Sequence, residues 1–390
     1  MTQPRTKAPT PLLEVIEQGQ SLWYDSIRRS LITSGELARL IDEDGLRGVT
    51  SNPAIFEKAI SGSRDYDDLL DQKSLAGADP KAIYERLAIR DIQEAADLLK
   101  PVYDRTGRRD GYVSLEVSPV LAHDTPASIE EGRRLWKAVG RPNVMIKIPA
   151  TAEGIPAIRT LISEGINVNV TLLFSQDAYE GVAEAYLAGL EARAEAGGDV
   201  APVASVASFF VSRIDTLVDA RLQERAAAAA TEAERERILA LTGQVAIANA
   251  KLAYEKYRAI YQGPRWEALA AAGARTQRLL WASTSSKNPA YPDVYYVEEL
   301  IGPDTVNTVP PATFDAFRDH GRVRPTLTAD LDRARETMAA LEAVGVSMTD
   351  VTDTLLTDAV RLFAEPFETL LAAIETRRRD GAPTRGRKDS

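Results

Sequence analysis

Residues 143–173 read NVMIKIPATAEGIPAIRTLISEGINVNVTLL. Val144, Met145, Ile146 and Ile148 make a short apolar run between Asn143 and Pro149, the pattern of a strand covered on both faces in a parallel sheet. A helical pattern over 152–164 and a second strand over 166–173 complete one strand–helix–strand unit. Inside the first of these strands stands Lys147, and a lysine there is costly unless it is used. Burial would lower its pKa and leave a fraction as free amine, the nucleophile that attacks a carbonyl to form a Schiff base. The competing reading is an edge-strand lysine whose head reaches water and blocks aggregation.

The same alternation runs outward in both directions. Further strands are expected at 21–27, 48–51, 111–117, 203–209, 278–282 and 305–309. Helices are expected from Thr33 or Ser34 to Gly45, as two patterns over 64–100, and over 128–139, 177–196 and 350–377. A long helical stretch is expected over 211–262, rich in alanine at 226–230, and another helix over 329–343 with Thr328 as its N-cap. Eight strands alternating with helices predict a (β/α)8 TIM barrel with additional helices. It is expected as a single domain over 16–378, between a flexible N-terminus at 1–15 and a disordered basic tail at 379–390. A doubly wound sheet often carries a glycine-rich phosphate loop, but neither G-x-G-x-x-G nor G-x-x-x-x-G-K-[ST] occurs.

Composition narrows the chemistry. With no cysteine and only His123 and His320, disulfides, thiolate nucleophiles and Cys- or His-based metal centres are set aside, and no metal is expected. A net charge of −10 argues against nucleic-acid and anionic-membrane partners, which require a basic face. No apolar run approaches the roughly 18 residues of a membrane span, and the start MTQPRTKAPTP lacks a signal-peptide core, so a cytoplasmic protein is expected. The oligomeric state is left as monomer or homodimer.

Successive strand side chains face opposite ways, so each strand divides by parity. Val113, Leu115 and Val117 oppose Ser114, Glu116 and Ser118; Val168, Val170 and Leu172 oppose Asn167, Asn169 and Thr171; Ile146 and Ile148 oppose Met145 and Lys147. The aliphatic parity is expected to face the helices and the polar parity the barrel interior. Reactive groups in such barrels gather at the C-terminal strand ends. Lys147, Glu116, Asn169, Thr171 and Ser208 fall there, Asp25 lies late in the first strand, and Asn52 follows the second. Taken singly, Asn52 before Pro53 is a good helix cap and Ser208 a packing residue. It is their convergence on one mouth that favours a site.

At these residues the chain resembles the transaldolase family, through QSLWYDSIRR, GLRGVTSNPAIFEKAI, SLEVSP, RPNVMIKIPAT, GINVNVTLLFS, VASFFVSRID, LLWASTSSKNP and VNTVPPAT, in the family's order between about residues 20 and 313. The resemblance is to the longer bacterial members whose seventh strand reads WAST. It implies that Lys147 is the Schiff-base lysine, Asp25 the general acid/base in C3–C4 cleavage, and Glu116 with Thr171 the proton handlers of carbinolamine dehydration. It further implies that Asn52, Asn169 and Ser208 hold the dihydroxyacetone unit, and that Arg213 and Ser283 bind the substrate's phosphate. The implied reaction interconverts sedoheptulose 7-phosphate and glyceraldehyde 3-phosphate with erythrose 4-phosphate and fructose 6-phosphate. No cofactor is implied, since the iminium is itself the electron sink. One departure stands out: the enterobacterial-type pattern has an arginine where this chain has Ser285, and Lys287 is the candidate substitute, with an exposed loop lysine as the alternative. Phe210 stands where aldolases that release free dihydroxyacetone tend to carry tyrosine, which favours transfer over release. Such an aldolase, or a sugar-phosphate-binding barrel without catalysis, are the alternatives. Retention of Lys147, Asp25 and Glu116 together argues against the last.

Overall fold

The computed structural model of the protein describes residues 10–70 and 78–380. Eight strands close into one parallel barrel in chain order: β1 (Gln20–Tyr24), β2 (Gly48–Val49), β3 (Tyr112–Glu116), β4 (Val144–Pro149), β5 (Val168–Leu173), β6 (Ser205–Phe210), β7 (Arg278–Ala282) and β8 (Thr305–Val309), with β8 returning to β1. Their residues are buried throughout, because helices cover the outer face and side chains fill the interior. Closure satisfies each strand's backbone on both edges.

Register fixes which side chains share a level. Glu116 pairs with Lys147, and Lys147 with Asn169, so three polar side chains from neighbouring strands point inward at one height. The expectation of a polar interior needs correction below that height. Trp23, Tyr112, Met145, Val206 and Leu280 share the inward parity and make an apolar plug. The plug is why Gly48 is glycine: a Cβ there would sit 2.5 Å from the Trp23 indole. Barrel interiors are packed in layers of bulky side chains, so a lumen polar along its whole length would leave buried groups unpaired.

Several boundaries shift for identifiable reasons. Of the stretch expected to be loose up to residue 15, the part from Pro11 instead belongs to a helix, Pro11–Glu17, which buries Leu12 and Val15. β1 stops at Tyr24, leaving Asp25 just past the strand with its N–H still donated to Val309 O at 2.9 Å. The two patterns over 64–100 become Asp67–Leu70 and Pro80–Arg105. The long stretch after β6 is three helices, Ser212–Ala227, Glu232–Leu239 and Val245–Ile260. Alanine supplies helix propensity but no stop signal; the chain turns because Asp219 and Asp215 in the first helix accept the N–H groups of Gly243 (3.0 Å) and Ala246 (2.7 Å) at the start of the third. Thr328 is not a cap: the next helix, Leu331–Ala343, begins after Asp330, whose backbone is left-handed at φ 55. Residues 1–9 and 381–390, which carry most of the two terminal expectations, lie outside the described residues.

The last helix, Met348–Asp380, lies against helices Pro53–Ser61, Pro80–Arg105 and Ser212–Ala227 and against β5. This places it at the C-terminal mouth of the barrel.

Candidate active site

A cavity of about 750 Å³ opens at the C-terminal strand ends. Lys147 forms part of its wall and is only 5% exposed. Its Nζ lies 3.0 Å from Glu116 Oε2, donates to Ser51 O at 3.0 Å, and faces the Phe363 ring with 5.8 Å to the centroid. The fourth strand is central and closed on both sides, so the edge-strand reading of Lys147 falls away.

The two carboxylates near this lysine are both pushed above the ordinary range. For Glu116 the main cause is burial; attraction to Lys147 opposes it and repulsion from Asp25 adds to it. Asp25 keeps part of its surface open to the cavity, yet desolvation again dominates over the Thr50 hydrogen bond and the pull of Lys147, Lys287 and Arg213. Thr50 Oγ1 donates to Asp25 Oδ1 at 2.7 Å and lies 2.5 Å from Thr308 Oγ1. An acid raised in this way holds a proton more readily than an ordinary carboxyl, which suits it to take and return protons.

The remaining expected residues divide into wall and support. Thr171 lines the cavity with its hydroxyl buried and without a partner among the described residues, so it can bond a bound molecule. Asn52 lines it too, while its Oδ1 caps helix Pro53–Ser61 by accepting from Ile55 N at 2.9 Å; capping and wall position are both realised. Ser208 reaches the wall and donates to Asn169 Oδ1 at 2.7 Å. Asn169 and Glu116 do not line the cavity. Asn169, held by Nδ2 to Ser114 Oγ at 2.9 Å, stands behind Ser208, and Glu116 stands behind Lys147.

A cationic group occupies another part of the wall. Arg213, the second residue of helix Ser212–Ala227, has its guanidinium over the Phe210 ring at 5.3 Å and the Phe363 ring at 5.9 Å. It has no carboxylate at ion-pair distance among the described residues, and burial pushes its pKa down against the pull of Asp25. Lys287 belongs to the same wall: its Nζ donates to Ser285 Oγ at 2.8 Å, and burial, then Arg213, hold its pKa below the ordinary value. Ser283, in left-handed backbone at φ 56, sets its Oγ 3.0 Å from Ser212 Oγ at the start of the same helix. Hydroxyls, cations and a helix N-terminus around one space are groups able to hold an anion.

Sequence reasoning missed Lys58, Thr50, Thr308, the Ser51 carbonyl and Phe363. Lys58 sits on the helix that Asn52 caps and was within reach of a helical reading of GLRGVTSNPAIFEKAI. For Phe363 there was no local signal, since only the path of the last helix brings it to the mouth. Among the described residues no three His, Asp or Glu side chains are grouped to hold a metal ion.

Comparison with known proteins bears on this geometry. A family model described as Transaldolase/Fructose-6-phosphate aldolase matches residues 22–374. The chain is 49% identical to a transaldolase of Trichodesmium erythraeum, with 93% of this chain and 96% of that protein covered. It is 48% identical to transaldolase 2 of a Nostoc species and to a transaldolase of Thermobifida fusca, each with 93% and 96% covered.

Proposed function

The chain belongs to the transaldolase/fructose-6-phosphate aldolase family, and from that premise we propose that it is a transaldolase working through a Schiff base on Lys147. Its substrates in this reading are sedoheptulose 7-phosphate and glyceraldehyde 3-phosphate, interconverted with erythrose 4-phosphate and fructose 6-phosphate.

Lys147 Nζ, relieved of a proton by Glu116 at 3.0 Å, attacks C2 of the ketose phosphate, and the new C–N bond turns the carbonyl into a carbinolamine. Loss of the C2 hydroxyl as water needs a donated proton. Glu116 supplies it through a bound water that the Thr171 hydroxyl, without a partner among the described residues, helps to hold. The resulting iminium withdraws electrons from C3. Ionised Asp25 removes the C4 hydroxyl proton, the C3–C4 bond breaks, and its electron pair moves into an enamine while the aldose phosphate leaves. Attack of the enamine on an acceptor aldehyde, with Asp25 returning the proton to the new hydroxyl, and hydrolysis of the iminium complete the transfer. Ser208 and Asn52 steady the three-carbon unit, with Asn169 fixing Ser208, and Arg213, Ser283 and Lys287 hold the phosphate.

The observation that carries this reading is Lys147 in the wall of a cavity, backed by buried Glu116 at 3.0 Å, with Arg213, which has no carboxylate at ion-pair distance among the described residues, in the same wall. Borohydride reduction in the presence of fructose 6-phosphate, followed by peptide mass analysis, tests it: a dihydroxyacetone adduct is expected on Lys147, and its absence there overturns the assignment. Transfer is separated from release by omitting the acceptor. Sustained appearance of free dihydroxyacetone would make the protein an aldolase, against the expectation from Phe210, which has no hydroxyl to activate water.

A further inference from the structure

The opposite end of the barrel holds a second cavity, of about 460 Å³, that the proposed reaction does not use. Its volume falls within the range of roughly 300–1,000 Å³ that small-molecule sites occupy. Its floor is the underside of the apolar plug, Tyr112, Met145 and Val206, and its rim carries Arg108, Arg109, Arg275 and Arg278 with one acid, Asp304.

Two of these guanidiniums are already matched. Arg278 is tied to Asp110 at 2.8 Å and to Ser21 Oγ at 2.8 Å, and Arg109 to Asp304 at 2.8 Å. Arg108 and Arg275 have no carboxylate at ion-pair distance among the described residues; the one hydrogen bond between them runs from Arg275 Nη1 to Arg108 O at 2.9 Å. Behind the rim, half-buried Arg47 has its Nε without a partner, and burial holds its pKa down, with Asp110 opposing and Arg105, Arg109 and Arg278 adding to the depression.

A chain of net charge −10 thus concentrates arginines at one place beyond what its own acids neutralise. Self-repulsion disfavours such an arrangement unless an anion relieves it. The rim cations are all arginine, whose planar fork binds phosphate and carboxylate through paired hydrogen bonds where lysine offers a point charge.

We propose that this N-terminal mouth is a binding site for a small polyanion, a molecule carrying two or more phosphate or carboxylate groups. Arg108 and Arg275 make its main contacts, Arg109 and Arg278 border it, and Arg47 adds long-range attraction. The plug of Trp23, Met145 and Leu280 separates it from Lys147, so occupancy does not compete with substrate.

The test is isothermal titration of the full chain at low ionic strength, with tripolyphosphate as the phosphate probe and citrate as the carboxylate probe. Active-site cations also attract anions, so R108Q/R275Q is compared with R213Q/K287Q. At least one probe is expected to bind the wild type at two sites, of which R108Q/R275Q loses one, its affinity falling by about tenfold or more, the loss expected when charge-assisted hydrogen bonds disappear. R213Q/K287Q is expected to keep that site and lose the other. Because Arg108 and Arg275 make no ion pair, R108Q/R275Q is expected to keep wild-type kcat/KM, which also certifies its fold; the single variant R108E repeats the test. Unchanged binding of both probes in R108Q/R275Q, or a single wild-type site abolished in R213Q/K287Q, overturns the proposal.

Discussion

Among the described residues, two buried cation–carboxylate pairs, one at each end of the barrel, look alike by distance and burial. Arg278 and Asp110 lie 2.8 Å apart with side chains 6% and 6% exposed, and Lys147 and Glu116 lie 3.0 Å apart with side chains 7% and 4% exposed. Their acids move in opposite directions. Burial pushes Asp110 up, but Arg278, by charge and hydrogen bond, the Ser21 hydroxyl and the charge of Arg47 outweigh it and hold the carboxyl below the ordinary range. Burial pushes Glu116 up, repulsion from Asp25 adds to it, and Lys147, by charge and hydrogen bond, does not bring it back. The difference lies in the remaining partners: Asp110 accepts from both Arg278 and Ser21, whereas Glu116 faces a single ammonium. A fully bonded pair is a fixed part of the fold. A pair left short of donors holds its acid less firmly in the ionised form.

The sharpest way to break this contrast is to remove the cation at each end. Lys147→Met should reduce transaldolase turnover to background, and Glu116→Gln should lower kcat by about 10²–10⁴-fold, the range for loss of a general acid/base, both read in a coupled assay with fructose 6-phosphate and erythrose 4-phosphate. Arg278→Met should instead cost about 3–5 kcal/mol of stability by stranding an ionised Asp110, with kcat of the folded enzyme near wild type. Urea melts of the two variants decide between fixed and movable pairs. If Lys147→Met loses as much stability as Arg278→Met, the distinction fails.

Phe363 refines the upper end. Replacing it by leucine removes ring faces near both Lys147 and Arg213, interactions worth about 0.5–2 kcal/mol each. A loss of roughly twofold to thirtyfold in kcat/KM is expected for each of the two interactions that the transition state uses. Tyrosine should restore most of it, and an unchanged rate in Phe363→Leu would show that the ring only fills space.

The smallest effect is on pH dependence, where the signs differ between the ends. Asp110, depressed in the fold, contributes stability that is present above the ordinary aspartate range and lost as pH falls through its folded value; Asp110→Asn should flatten the acid limb of a stability profile. Asp25, raised in the fold, contributes stability that is complete below that range and lost as pH rises through its folded value, so Asp25→Asn should be more stable than wild type at neutral pH while losing activity. Urea midpoints between acid and neutral pH check both, and parallel profiles for the two variants would contradict the assignment.

Much of this could be read from the chain. The apolar run around Lys147 and the alternation after it announced a parallel barrel, and polar parity on β3, β4 and β5 turned Glu116, Lys147 and Asn169 to the same inward face, where the register then sets them at one level. Parity gives direction but not depth. It could not show that Asn169 stands behind Ser208 rather than in the wall, nor that Trp23 and Leu280 on the same inward parity close the lumen below. The split of the stretch after β6 also escaped a helical reading, because its turn depends on Asp215 and Asp219 bonding to a helix that comes later.

The sequence by itself determined the strand–helix rhythm, the inward or outward direction of each strand residue, and, through its resemblance to a family, which lysine and acids belong to the chemistry. These follow from local periodicity and from residue identity. Tertiary structure alone decided which acid is raised and which depressed, that Lys287 and Lys58 share a wall with Arg213, that Phe363 reaches the site from the last helix, and that arginines gather at the far mouth. Desolvation, Coulomb attraction and hydrogen-bond count depend on distance through space, and the chain order of those residues does not contain it.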